Sequence, residues 1–135
     1  MARTFHADGS APAPEQIFTF GSNLSGYHGG GAARAAHKLY GAVWGVAEGP
    51  TGRCYAIPTV QHGIAGPLTL GEIAQAVERF IAHAQREPET SFFVTRIGCG
   101  LAGHRDADIA PMFASAPLNC SLPDAWATHF KGISL

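Results

Sequence analysis

Ser91-Phe92-Phe93-Val94-Thr95-Arg96-Ile97-Gly98-Cys99-Gly100-Leu101-Ala102-Gly103 is an apolar, β-forming run that breaks into glycine. Aromatic and β-branched residues suit a pleated, buried surface, so the run predicts a strand over 91–97 that ends at Gly98-Cys99-Gly100. Just upstream, Leu70, Ile73, Ala74, Val77, Phe80, Ile81 and Ala84 recur at helical intervals, with Glu72, Gln75, Glu78, Arg79, His83 and Arg86 on the other face. That spacing predicts an amphipathic helix from Leu70 to Arg86. Thr69 and Glu72 have the spacing of a capping box, in which each side chain satisfies the other's free backbone N–H. Pro88 closes the far end.

The same alternation extends in both directions. Gln16-Ile17-Phe18-Thr19-Phe20 reads as a strand ended by Gly21, and the alanine-rich stretch from Gly31 to Tyr40 reads as a helix stopped by Gly41. Short strands are expected at 42–46 and 53–58, and a last strand from Leu118 to Leu122. A short helix is expected over 106–113, with Pro111 in its first turn or at a kink, and another over 123–130. The first 15 residues read as an irregular lead-in. Strands alternating with helices predict one three-layer α/β/α domain over residues 1–135, with a mixed, largely parallel central sheet.

Composition agrees. With 135 residues, 46% of them hydrophobic and 14% charged, the chain has enough apolar matter for one core. A formal net charge of -1 gives no global attraction to nucleic acid or to an anionic membrane. Cys54, Cys99 and Cys120 are odd in number and widely spaced, which argues against a disulfide framework or a metal site and for a reducing cytoplasm. No apolar run reaches the roughly 18 residues of a membrane span, and the first residues lack the apolar core of a secretory signal.

The 17 glycines cluster instead of spreading. The clusters are Gly26 to Gly31, Gly41 to Gly52 and Gly98 to Gly103. Two strand–glycine–helix junctions stand out, Gly21 to Gly31 before the alanine-rich helix and Gly98 to Gly103. In open α/β sheets ligands bind beyond the carboxyl ends of strands, where both junctions fall. Glycine lets backbone N–H groups turn toward a ligand, and a helix N-terminus adds partial positive charge, so the pair suits a phosphate or diphosphate. The first loop lacks the Gly-Lys-Ser/Thr of a phosphate loop of the NTPase type. The second matches Gly-x-Gly-x-x-Gly, and Asp124 lies at about the right distance beyond. However, only 32 residues follow Gly103 and Pro111 interrupts the helix that a dinucleotide-binding unit needs.

Together the two loops resemble the macro-domain superfamily. Asn23, Gly26, His28 and the run Gly29-Gly30-Gly31-Ala32 resemble its substrate loop. Thr95-Arg96-Ile97-Gly98-Cys99-Gly100-Leu101-Ala102-Gly103 resembles its diphosphate loop, most closely in the branch of terminal ADP-ribose glycohydrolases and DNA-ADP-ribose glycohydrolase antitoxins. The resemblance covers about residues 16–122. It implies that Asn23 meets the distal ribose and that Gly29, Gly30, Gly31 and Ala32 border ribose and diphosphate. Gly98, Cys99, Gly100, Leu101, Ala102 and Gly103 would offer amides to the diphosphate. The partner implied is ADP-ribose or an ADP-ribosylated macromolecule, with no cofactor and no metal. Asp8 is a candidate for an adenine contact.

Catalysis is a separate question, because the chain departs from that branch where it matters. Val60 stands about where the branch has a lysine and Ala102 where it has an aspartate. A Lys–Asp route through a covalent ribose adduct therefore does not carry over. Lys38, one of two lysines, falls at a helix end, where it favours the helix dipole. Cys99 reads as a packing residue rather than a nucleophile. His28, His62, His104 and Asp106 are the titratable candidates near the expected pocket. Tyr27, Tyr40, Trp44 and Trp126 can each pack in a core or stack on a base. Three readings stay open: a binding module for an ADP-ribose-like molecule, a hydrolase of ADP-ribosyl groups, and a structural protein whose glycine loops serve folding alone.

Overall fold

The helix predicted from its apolar spacing is present with its predicted ends. In a computed structural model describing residues 3–62, 66–100 and 102–130, helix α2 spans Leu70–Arg86. Thr69 Oγ1 accepts from the Glu72 amide at 3.1 Å, and Glu72 Oε1 accepts from the Thr69 amide at 3.0 Å, completing the capping box. Ile73, Val77, Phe80 and Ala84 are buried against one face of a sheet.

That sheet has six strands: β1 (Phe5–His6), β2 (Ile17–Asn23), β3 (Gly49–Thr51), β4 (Cys54–Val60), β5 (Phe92–Val94) and β6 (Cys120–Pro123), in the order β1-β6-β5-β2-β4-β3. All pairings are parallel except β3 with β4. Helix α1 (Gly31–Tyr40) covers the second face. The strands are apolar on both sides, as buried parallel strands must be. In β4, Tyr55 and Ile57 face α2 while Cys54 and Ala56 face α1; in β5, Phe92 and Val94 face α2 and Phe93 faces α1. Three layers result, as the sequence predicts. Helix α3 (Asp106–Ile109), a 3-10 turn at Ala110–Phe113 with Pro111 at its start, and a second 3-10 stretch at Asp124–Phe130 close the α2 side. Among the described residues no helix is long and apolar enough to cross a membrane, and the three cysteines are free thiols.

Four expectations need correction. The lead-in is not wholly irregular: Phe5–His6 adds an edge strand on β6, pairing Phe5 with Leu122. A two-residue strand carries no readable period, and its partner lies more than 110 residues away. Residues 42–46 form no strand; Val43 and Trp44 are exposed, and the edge strand comes later, at Gly49–Thr51. Strand β5 stops at Val94 rather than Ile97. Finally, β2 does not end at Gly21 but runs on to Asn23, pairing Gly21 with Ile57. Here the glycine answers a close approach, since a β-carbon on Gly21 would lie 3.1 Å from Thr59 Oγ1.

Candidate functional site

Strands β2 and β5 are parallel neighbours, so the segments leaving their carboxyl ends emerge on the same edge of the sheet. It is also where the strand order reverses: the chain leaves β2 toward β4, then crosses back through α2 to β5. Such a switch point leaves a crevice between diverging connections. A cleft of about 1150 Å³ opens there. Asn23 and Gly29 to Ala32 border it, and so do Gly98, Cys99, Gly100 and Ala102. Val60 also borders it. Gly103 does not line the cleft, and Leu101 lies outside the described residues.

The first wall is the start of α1. Gly30 precedes it in extended conformation, no side chain caps it, and its first turn holds no acidic residue. The first amides of a helix have no acceptor within it and carry partial positive charge. The loop leading there is organised by Asn23. Its Oδ1 accepts from the Tyr27 amide at 2.9 Å and its Nδ2 donates to the Tyr27 carbonyl at 2.7 Å. Tyr27 itself is exposed at the cleft mouth.

The second wall turns at Gly98, whose φ of +74° is a left-handed conformation that side chains resist. Cys99 N donates to the Arg96 carbonyl at 3.2 Å and His104 N to the Gly98 carbonyl at 2.8 Å. Among the described residues, the Gly98 and Gly100 amides donate to no backbone carbonyl. Burial, and then the nearby Asp106 carboxylate, push the Cys99 thiol up to about 12, which favours the protonated form at neutral pH.

The floor and rim are polar but occupied. Thr59 Oγ1 donates to the Ser22 carbonyl at 3.3 Å, Thr95 Oγ1 donates to the Thr19 carbonyl at 2.8 Å, and the Ser22 hydroxyl donates to the Ala47 carbonyl. His6 stacks on Phe93 at 3.8 Å between ring centroids. Its Nε2–H donates to the Val94 carbonyl at 2.8 Å and its Nδ1 accepts from the Ser121 hydroxyl at 2.7 Å. Burial lowers the His6 pKa, which keeps the ring in this neutral form. Arg96 stands at the rim, paired with Asp106 and Asp8.

The histidines singled out from sequence lie elsewhere. His28 is buried behind the loop, with Nε2–H donating to the Val43 carbonyl at 2.9 Å and Nδ1 unpartnered. His62 Nδ1 meets the Ser25 hydroxyl at 3.0 Å, and His104 Nε2–H donates to the Leu68 carbonyl at 3.0 Å. None borders the cleft, and Asp106 sits behind Arg96. Lys38 is exposed in the last turn of α1, as expected. Trp126 is fully buried in the core, Tyr40 stacks on Phe18 at 4.6 Å beside the cleft, and Trp44 is exposed beyond its edge. Sequence reasoning missed His6 and Thr59 as cleft residues. Thr95 and Arg96 were read as part of the diphosphate loop without a role of their own; nothing in the sequence marks His6, because only the pairing of β1 with β6 carries it there.

No family model matches this chain, and no curated protein matches its sequence. Solved structures do match its shape. The macrodomain of Mycobacterium tuberculosis DarG superposes with a TM-score of 0.62 at 19% identity, over 87% of this chain and 95% of that one. A protein from Bacteroides thetaiotaomicron described as of unknown function gives 0.62 at 18% identity, over 91% and 98%. A second from the same organism gives 0.58 at 18%, over 90% and 99%. Identities this low speak for the fold alone. The chain has the macro-domain fold.

Proposed function

We propose that this macro-domain fold binds ADP-ribose, or a related NAD-derived nucleoside diphosphate, without turning it over. One observation carries the reading: the uncapped start of α1 and the glycine turn at Gly98 both line one cleft. Two sets of main-chain amides with few competing charges suit a diphosphate, and the apolar trough beside Phe18, Phe93 and Tyr40 suits the rest of a nucleotide. Asn23, Gly29, Gly30, Gly31 and Ala32 would serve one end of the ligand, and Gly98, Cys99, Gly100 and Ala102 its diphosphate.

The chemistry at the cleft favours holding over cleaving. Hydrolysis needs a group that takes a proton from water. Both His6 nitrogens are engaged, and the Ser22, Thr59 and Thr95 hydroxyls donate to carbonyls. Among the described residues, Asp8 is the one carboxylate at the cleft, and it faces Arg96.

Thermal unfolding with ADP-ribose, NAD, ADP and AMP tests this. A ligand at a hundredfold excess over Kd adds about 2.7 kcal/mol of stability, so ADP-ribose should raise the melting temperature clearly and AMP less. No shift with any of the four sinks the proposal. ADP-ribose consumed on incubation with the protein would overturn its second half.

A further inference from the structure

Arg96 and Asp106 stand at the two ends of the second glycine loop and grip each other across its base. Arg96 Nε donates to Asp106 Oδ1 at 3.0 Å and Nη2 donates to Oδ2 at 2.7 Å, a two-pronged charged pair. The Asp106 carboxylate takes a third bond, from the Trp126 indole Nε1–H at 2.7 Å. Trp126, on the 3-10 stretch Asp124–Phe130, is fully buried in the core, its ring centroid 5.0 Å from that of Phe113. One carboxylate thus ties the end of β5, the exit of the loop and the C-terminal 3-10 stretch to one point. Asp106 does not border the cleft, but Arg96 and Cys99, both next to it, do. On its outer side Arg96 Nη1 donates to Asp8 Oδ2 at 3.3 Å, in the segment that forms a side wall.

We propose that Asp106 is a positioning residue: through Arg96 and Trp126 it fixes the separation of the loop's ends and so aims the Gly98 and Gly100 amides into the cleft. The physical need is plain. A glycine-rich loop has more conformations to lose than any other, and a ligand that must order it binds more weakly than one that finds it ordered. Within the loop Cys99 N donates to the Arg96 carbonyl, Gly103 N to the Gly100 carbonyl and His104 N to the Gly98 carbonyl. Among the described residues, however, a β-carbon at Gly100 or Gly103 would meet nothing within 4 Å, so side chains add little packing there. The Arg96–Asp106 pair adds to those backbone bonds a tie between the loop's two ends. This inference rests on the reading of the cleft as a diphosphate site, but half of its test does not.

The test compares the full chain with Asp106→Asn, which keeps the shape but removes the charge, and with Asp106→Glu, which restores a carboxylate. Amide hydrogen exchange on the unliganded proteins reads the loop directly. Exchange over residues 98–104 should quicken by about tenfold in Asp106→Asn, with α2 unchanged, and Asp106→Glu should recover part of the protection. Calorimetry with ADP-ribose should show a Kd weaker by about tenfold in Asp106→Asn. If wild-type chain binds no ADP-ribose, the reading of the cleft fails while the exchange result still judges the positioning role. Loop exchange and affinity both within about twofold of wild type would overturn the inference. Uniform quickening throughout the chain would also overturn it, because that marks a merely global role. Should Asp106→Asn not fold, Trp126→Phe keeps the core aromatic and removes one of the three bonds. It must then quicken the loop selectively, and unchanged loop exchange rejects the proposal.

Discussion

Gly21 and Gly98 come so close that a β-carbon on Gly21 would stand 3.6 Å from the Gly98 amide nitrogen. The end of β2 and the turn at Gly98 therefore approach through backbone, with the Thr59 side chain beside both. Gly98 is the less replaceable: φ is +74°, and a β-carbon there would lie 3.0 Å from Ile109 Cδ1. Gly98→Ala should cost about 1–2 kcal/mol in urea unfolding, the penalty of a left-handed non-glycine residue, and should abolish the ADP-ribose thermal shift. Gly100→Ala, with open space around it, should change stability by less than about 0.5 kcal/mol. Any loss of ADP-ribose affinity in Gly100→Ala then reports how near the ligand comes to the backbone.

Asn23 spends its amide on Tyr27, bonding both the N–H and the carbonyl of that residue. Asn23→Ala should cost about 1–2 kcal/mol of stability, because two local hydrogen bonds go, and should loosen Tyr27 at the cleft mouth. Tyrosine anisotropy and ADP-ribose calorimetry check this. Asn23→Asp keeps the acceptor for the Tyr27 amide but sets a negative charge toward the Tyr27 carbonyl, so it should bind no better than Asn23→Ala.

His6 makes stability depend on pH. Its folded pKa lies below the ordinary value because burial disfavours the charged ring. As pH falls, the unfolded chain takes up the proton first, so the stabilisation is full above about pH 6.5 and declines as pH drops toward the folded pKa. Urea unfolding at pH 8, 6.5 and 5 should show this decline in wild type and a shallower one in His6→Gln. Parallel slopes for the two proteins would refute it.

Phe80 anchors the α2 layer, fully buried and edge-on to Tyr55 at 5.0 Å and Phe92 at 5.4 Å. Phe80→Leu should cost about 1–2 kcal/mol and Phe80→Ala about 3–5 kcal/mol, the latter through the cavity it leaves. Phe80 does not touch the cleft. Where the Phe80→Leu variant is folded, its ADP-ribose affinity should match wild type.

How much was legible depended on whether the signal was local. The α2 helix and its Thr69–Glu72 cap were readable because every determinant lies in the short stretch from Thr69 to Pro88. Helix α1 and its Gly41 stop were readable for the same reason. The glycine at 21 was misread as a strand end, since a turn and a close approach leave the same mark in a sequence. Val43 and Trp44 were misread as strand because exposed and buried apolar residues look alike until the neighbours are known. The titratable candidates failed likewise: His28, His62 and His104 lie near the loops along the chain, and each turns away to a carbonyl or a hydroxyl.

Sequence alone settled the kind of architecture and the two glycine segments, because periodicity and glycine clustering are properties of neighbours along the chain. Tertiary structure alone decided that those segments share a cleft, that His6 and Thr59 border it, and that Asp106 stands behind it holding Arg96. The pairing of β2 with β5 joins residues 75 apart, and that of β1 with β6 joins residues 117 apart. Contacts at such separations are chosen by the burial of the whole sheet, and no short window of residues contains that information.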